Sequence, residues 1–108
     1  MNERARAILH FWFNESSMDE RFSTNEVFDQ KIKDIFFEDY KKAINNKYDK
    51  WQDNAKECLA LIIILDQFSR NLFRNNSKAF AVDSKARLIA NVAINIGYME
   101  ELSTDGIL

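Results

Sequence analysis

The polar side chains with the most regular spacing lie in the middle of the chain. Asp66, Arg70 and Arg74 follow one another at steps of four residues, with Gln67 and Asn71 beside them. On a helix this spacing stacks the side chains along one stripe. Two arginines in such a stripe fit a carboxylate or a phosphate, because a guanidinium can donate two parallel hydrogen bonds to either group.

This stripe has two interpretations. In the structural one, Asp66 and Arg70 form an ion pair that fixes the contact between helices, since a buried carboxylate needs a partner. In the functional one, the arginines bind an anionic small molecule or an acidic peptide, the amides orient it, and an aspartate holds the guanidinium planes. The candidate ligand-binding residues are then Asp66, Gln67, Arg70, Asn71, Arg74 and Asp83.

Catalysis by this stripe would depend on His10, which is the one histidine of the sequence and lies among aromatic residues. An alternative function is therefore a small hydrolase-like enzyme that combines the stripe with His10. The sequence contains no glycine-rich phosphate loop and no paired His or Cys motif with metal-ligand spacing. We therefore expect neither a metal nor a cofactor.

The composition predicts one helical domain over residues 1–108. Two glycines and no proline cannot supply the many tight turns of an all-β fold, whereas 46% hydrophobic residues suffice for one core. A net charge of −2 lacks the basic excess of nucleic-acid-binding proteins. The longest apolar run, Cys58 to Leu65, is too short to span a membrane, and its thiol is expected to be buried. We expect a cytoplasmic protein that binds neither nucleic acid nor membranes.

Apolar periodicity predicts four main helices, which cover residues 3–13, 23–45, 54–71 and 78–96. Ser23 and Glu26 have the form of a capping box for the second helix, and Asp53 is the predicted N-cap of the third. Gly97 is the predicted left-handed stop of the fourth helix. The segment from Tyr98 to Leu102 could start a fifth helix, but too few residues follow to complete it.

The third helix is apolar on two opposite sides, which predicts a central position in the fold. Helical spacing of the aromatic residues indicates core packing, although stacking platforms for bases or a hydrophobic ligand pocket are the alternatives. This set comprises Phe11, Trp12, Phe13, Phe28, Phe36, Phe68, Phe73 and Phe80. Trp51 stands apart in a polar connector, where it packs either on the end of the second helix or on a partner.

Three stretches carry a resemblance to a known family: Ile8 to Phe13, Leu61 to Arg74, and Ala79 to Asp83. They resemble the bacterial domain-of-unknown-function family nine-two-four, and the fourteen positions of the middle stretch are the specific part. The resemblance implies antiparallel helix pairs in a tetratricopeptide-like αα superhelix of about four to five helices. It implies no established activity.

Members of that family continue through a further helical segment with a His-Ser-Glu motif, and nothing after Leu102 matches it. The resemblance therefore implies the N-terminal half of the family and predicts a chain that ends early. Uncovered apolar faces on the third and fourth helices would favour an interface, so we expect a homo-oligomer. The expected function is a binding or assembly module; an oligomeric scaffold without a ligand, or a remnant without activity, is the remaining alternative.

Overall fold

The chain folds into α-helices joined by short turns. A computed structural model describes residues 1–107, and these residues contain no β-strand. None of their helices is both long enough and apolar enough to cross a bilayer. The helices are α1 (Glu3–His10), α2 (Met18–Phe22), α3 (Glu26–Ile44), α4 (Ala55–Ile62), α5 (Ser69–Leu72), α6 (Asp83–Asn95) and α7 (Tyr98–Thr104). The all-α prediction is confirmed, while the tetratricopeptide-like superhelix stays a prediction.

A continuous helix formed by α4, the π-helical segment Ile63–Phe68 and α5 occupies the middle of the fold, and we call it the central helix. Leu61, Ile64, Leu65 and Phe68 are fully buried on one side of it, and Leu59 and Ile62 pack partly buried on the other. The central position predicted from the two apolar sides is therefore confirmed. Its N-cap is Asn54 and not Asp53, because the Asn54 side chain accepts a hydrogen bond from the backbone N–H of Glu57 at 3.1 Å.

The start of α3 also differs from the prediction. Asn25 caps it by accepting a hydrogen bond from a backbone N–H of the first turn, so the capping box predicted at Ser23 and Glu26 is wrong. A capping box does occur one helix earlier, where Ser17 and Glu20 bond reciprocally at the start of α2. Asparagine and serine are equally good N-caps, so the residue types alone did not decide between neighbouring positions.

The C-terminal helices also depart from the predicted boundaries. α6 begins at Asp83 and not at Lys78, because Ser77–Phe80 form a separate 3-10 turn. Gly97 has a φ angle of +87° and separates α6 from α7, as predicted, since only glycine adopts this conformation at little cost. α7 is a complete short helix, contrary to the expectation that this segment is too short. The first helix likewise runs on past its predicted end, through the π-helical segment Phe11–Glu15.

Phe68 lies at the centre of an aromatic core. Its ring centroid is 5.0 Å from that of Phe36, 5.8 Å from that of Trp12 and 6.2 Å from that of Phe11. Offset-stacked and edge-to-face contacts of this kind stabilise the fold beyond the burial of apolar area. The prediction of core packing is confirmed for these rings. It is wrong for two others, Phe13 and Phe80, which are exposed.

Two arginines hold α3 near its two ends. Arg4 donates to the buried carboxylate of Asp39 through Nη2 at 2.6 Å and through Nε at 3.2 Å, and the Tyr48 hydroxyl donates to the same carboxylate at 2.6 Å. Burial and that hydrogen bond raise the pKa of Tyr48 well above its ordinary value. Arg74, after α5, binds Asp29 in the first turn of α3. Bidentate contacts fix orientation as well as position, so α3 presents Asp29 rigidly beside the central helix.

The structure also places two single residues of the sequence analysis. Trp51 is buried and stacks on Tyr48 with ring centroids 3.9 Å apart, so it packs just beyond the end of α3. Cys58 is buried, as expected, and burial raises the pKa of its thiol to about 11. The thiol therefore stays protonated at neutral pH and packs as a small hydrophobe.

Candidate functional site

The structure divides the predicted stripe between two clusters, each built on an arginine. Arg70 contacts Asp66 and Asp83, whereas Arg74 contacts Asp29. Asp83 comes from the first turn of α6 and Asp29 from the first turn of α3, so the two arginines join the central helix to different neighbours. Asp66 and Asp83 both contact the guanidinium of Arg70, as expected. The guanidinium of Arg74 contacts Asp29 instead.

The Arg74 cluster is closely paired and partly buried. Arg74 donates through Nε to Oδ2 of Asp29 at 2.6 Å and through Nη2 to Oδ1 at 2.9 Å, and Asn71 Nδ2 donates to Oδ1 at 2.9 Å. Burial raises the pKa of Asp29, but the hydrogen bonds from Arg74 and Asn71 lower it by more, so it lies below its ordinary value. The pKa of Arg74 is raised by its hydrogen bond to Asp29. Asn71 thus orients a carboxylate of the protein itself.

The Arg70 cluster is more open. Arg70 Nη1 lies 3.1 Å from Oδ1 of Asp66 and also donates to the Asp66 carbonyl, and Nη2 lies 3.4 Å from Oδ2 of Asp83. Gln67 donates to the other oxygen of Asp66. The second oxygen of Asp83, Oδ1, is buried and has no hydrogen-bond partner among residues 1–107. The guanidinium also lies over the ring of Phe80, 5.2 Å from its centroid, which adds a cation–π contact.

Both arginines line a cleft of about 400 Å³ between the end of the central helix and the 3-10 turn Ser77–Phe80. We call it the arginine cleft. Its other lining residues are Asn75, Asn76, Ser77, Ala79 and Phe80. The structure thus brings Arg70 and Arg74 to one surface, as the functional interpretation requires. Asp66, Gln67, Asn71 and Asp83 are not among the residues that line it.

His10 lies elsewhere. It is largely exposed, with Nε2 3.2 Å from Oε1 of Glu15, and it lines a separate cleft beside Arg6, Phe13 and Lys56. The two clefts share no lining residue. The alternative in which His10 acts together with the stripe therefore has no geometric basis within the described residues.

Two important residues of the clusters were absent from the candidate set. Asp29 has a sequence signal only in its place within the first turn of a helix, where an acidic side chain is common. Phe80 was assigned to the core, but its side chain is 59% exposed and faces Arg70. Among residues 1–107, no group of three or more His, Cys, Asp or Glu side chains is placed to hold a metal ion.

Comparison with known proteins gives two matches of the chain. The model of the family described as bacterial protein of unknown function (DUF924) matches residues 8–106. The solved structure of a protein of unknown function from Agrobacterium tumefaciens is 34% identical and superposes with a TM-score of 0.87. That match covers 94% of this chain and 57% of the Agrobacterium chain, so this chain spans little more than half of that protein. No curated protein matches the chain.

The matched region contains the aromatic core, the central helix and both arginine clusters, so the resemblance seen in three stretches of the sequence extends over nearly the whole chain. The similarity of fold covers 94% of the chain at a sequence identity of 34%. The chain therefore belongs to the DUF924 family of bacterial proteins of unknown function.

Proposed function

We propose that the chain is a binding module that takes an anionic group in the arginine cleft. The observation that carries this proposal is the lining of the cleft: two arginines, two asparagines, a serine and an exposed aromatic ring, with no acidic residue among them. Asp29, Asp66 and Asp83 bind the guanidinium groups without lining the cleft. They fix the guanidinium groups in place and leave the cleft itself rich in donors.

Hydrogen bonds to the aspartates leave donors on both arginines. Arg74 uses Nε and Nη2 on Asp29, and Arg70 uses Nη1 and Nη2 on its partners. Neither Nη1 of Arg74 nor Nε of Arg70 has an acceptor among the residues that the structure describes. A guanidinium has five N–H donors, so each arginine can bind a carboxylate or phosphate oxygen without losing its aspartate.

The shape of the cleft favours a small ligand with one flat apolar part. A volume of about 400 Å³ lies at the lower end of the range of small-molecule sites. Phe80 offers one face of its ring beside Arg70, and Asn76 and Ser77 offer polar side chains at the rim. An aromatic or otherwise planar anion, or the free carboxyl terminus of a peptide, would use all three kinds of contact.

The experiment compares two anionic ligands with a neutral one. N-acetylphenylalanine and phenyl phosphate carry an anionic group near a ring, and N-acetylphenylalanine amide replaces the carboxylate of the first with a neutral amide. We expect both acids to shift the backbone NMR signals of Ser77–Phe80 and the Nε–H signals of Arg70 and Arg74, and the amide to shift them far less. The two acids distinguish a carboxylate ligand from a phosphate ligand.

Two variants test whether these acids bind in the arginine cleft. Arg70→Gln removes the guanidinium beside Phe80 and should lower the affinity for either acid about tenfold, the effect of losing one charge-assisted hydrogen bond. Arg6→Gln, which changes an arginine that lines the separate His10 cleft, is the matched control and should leave the affinity unchanged. Equal loss in both variants, or shifts by the acids that Arg70→Gln does not reduce, would contradict the proposal.

A further inference from the structure

Three carboxylates contact the two arginines of the arginine cleft. Asp66 and Asp83 lie 3.1 and 3.4 Å from Arg70, and Asp29 lies 2.6 Å from Arg74. An anion bound by either arginine therefore lies within about one Debye length of a carboxylate, roughly 10 Å at 0.1 M salt, so dissolved ions screen their repulsion only in part. The carboxylates that position the guanidinium groups also limit how much negative charge the cleft can take.

Asp83 is the carboxylate whose charge is least neutralised. Its side chain is 24% exposed, and its buried Oδ1 has no hydrogen-bond donor among residues 1–107. Asp29, in contrast, accepts three hydrogen bonds, and both oxygens of Asp66 accept one from a side chain. An oxygen that is neither hydrated nor hydrogen-bonded repels a nearby anion more strongly than a solvated one does.

Two further cations lie close to the cleft. Lys78 belongs to the turn Ser77–Phe80, and Arg87 lines a neighbouring cleft that it shares with Arg70. Neither takes part in an ion pair with another residue of the part of the chain that the structure describes. The cleft and its surroundings thus hold one positive charge more than negative charges, counted over Arg70, Arg74, Arg87, Lys78, Asp29, Asp66 and Asp83.

We infer that the arginine cleft selects a carboxylate, with one negative charge, over a phosphate monoester, with two; this rests on the anion site proposed above. One negative charge balances the surplus of one positive charge. The second charge of a phosphate monoester would have no counterpart and would lie near Asp83. The ligand class is therefore a carboxylic acid with a flat apolar part, such as the free carboxyl terminus of a peptide that ends in an aromatic residue.

The free donors of the arginines agree with this choice. Each arginine has one nitrogen without an acceptor among the described residues, Nε on Arg70 and Nη1 on Arg74. The two oxygens of a carboxylate can each accept from one of these nitrogens. A phosphate monoester presents three strong acceptor oxygens, so one of them would have no charged donor.

Probes that carry a phenyl ring and different charges test the preference in the unaltered chain. Phenyl phosphate is a dianion at about pH 8 and mostly a monoanion at about pH 5, since the second pKa of a phosphate monoester is about 6. Methyl phenyl phosphate has the same tetrahedral group but one charge at both pH values. N-acetylphenylalanine also keeps one charge, because the pKa of such a carboxyl group is about 3.5.

Dissociation constants come from the NMR shifts of Ser77–Phe80. At about pH 8 the diester and N-acetylphenylalanine should each bind at least about tenfold more tightly than phenyl phosphate. At about pH 5 the difference between the diester and phenyl phosphate should shrink to about threefold or less. The charged residues around the cleft are aspartates, arginines and a lysine, which ordinarily titrate outside this pH range, so the ligand is the group that changes charge.

A variant of Asp83 tests where the preference comes from. Asp83→Asn removes one negative charge and keeps the shape, and the Coulomb energy scales with the charge of the ligand. Affinity at about pH 8 should therefore rise about tenfold for phenyl phosphate but only about threefold for N-acetylphenylalanine. Asp105→Asn is the matched control, since it removes the same charge beside Lys56, which lines the separate His10 cleft. It should leave both affinities unchanged.

The outcomes separate this inference from the proposed function. Phenyl phosphate that binds at about pH 8 as tightly as the diester overturns the carboxylate preference but leaves the anion site in place. Equal gains of both ligands in Asp83→Asn also overturn it, because they would mean that Asp83 only restrains Arg70. If none of the three anions binds, the proposed function fails and the carboxylate preference fails with it.

Discussion

Arg70 lies in α5 at the end of the central helix and Arg74 lies in the turn that follows, and the surroundings of the two arginines differ. Arg74 makes two short hydrogen bonds to Asp29, and their side chains are 29% and 15% exposed. Arg70 contacts two aspartates, Asp66 and Asp83, at longer distances than Arg74 contacts Asp29. The side chains of Arg70 and Asp66 are 37% and 38% exposed. The Arg74 pair resembles a buried structural contact, and the Arg70 group resembles a solvated surface ion pair.

This difference arises from the neighbouring helix and not from the spacing along the chain. At Arg74 the first turn of α3 supplies Asp29, and Asn71 donates a further hydrogen bond to the same carboxylate. At Arg70 the nearest acidic group of another element is Asp83, at 3.4 Å. Arg74 therefore anchors α3 to the central helix, while Arg70 is the more exposed of the two arginines.

The largest expected effect follows from removing the carboxylate of the closed pair. Asp29→Ala leaves Arg74 and Asn71 without their acceptor in a partly buried place, and should lower the free energy of unfolding by about 2 to 3 kcal/mol. Asp66→Ala should lower it by about 1 kcal/mol or less, because that pair is solvated and Arg70 keeps Asp83. Urea unfolding followed by tryptophan fluorescence measures both, and equal losses would remove the distinction between the two arginines.

Double-mutant cycles compare the coupling energies of the two arginine–aspartate pairs directly. The cycle of Asp29→Ala with Arg74→Ala should give a coupling energy of about 1 to 2 kcal/mol, since the bidentate contact exists only when both residues are present. The cycle of Asp66→Ala with Arg70→Ala should give about 0.5 kcal/mol or less, as exposed pairs four residues apart on a helix do. A larger coupling in the second cycle than in the first would show that exposure is the wrong criterion.

The sequence predicted the stripe but not its partners. Helical spacing correctly brought Arg70 and Arg74 to one surface, because that relation is local, although the helix ends at Leu72 and Arg74 lies in the turn after it. Asp29 lies 45 positions before Arg74, and no local pattern relates two such residues. The pairing depends on how α3 packs across the aromatic core, which is decided by side-chain shape and not by periodicity.

Phe80 shows a second limit of periodicity. The predicted fourth helix included it as a core position, but Ser77–Phe80 form a 3-10 turn with three residues per turn. The change of pitch moves Phe80 off the buried face of α6 and exposes it beside Arg70. The prediction also missed α7 as a complete helix, because the segment is short. Glu100 and Glu101 in its first turn stabilise a helix start, since acidic side chains interact favourably with the helix dipole there.

Acid should weaken the closed pair only at low pH, because the pairing of Asp29 opposes its protonation. The pKa of Asp29 lies below its ordinary value in the folded chain, so its contribution to stability is complete above the unfolded pKa near 3.9 and disappears as the pH falls through the folded pKa. The free energy of unfolding of Asp29→Asn should therefore fall less between about pH 5 and about pH 2 than that of the original chain. Asp66→Asn is the control, and a parallel pH dependence in Asp29→Asn and the original chain would contradict the prediction.

The smallest expected effect on stability belongs to Arg70. Arg70→Lys keeps the positive charge but loses the planar guanidinium that lies over Phe80, and its contacts to Asp66 and Asp83 are solvated. The free energy of unfolding should therefore change by about 0.5 kcal/mol or less, while binding of N-acetylphenylalanine weakens because a lysine cannot donate two parallel hydrogen bonds. Arg74→Lys should show the opposite balance, with a clear loss of stability. If Arg70→Lys were the more destabilising of the two substitutions, Arg70 would be the structural residue and the arginine cleft would lose its main ligand contact.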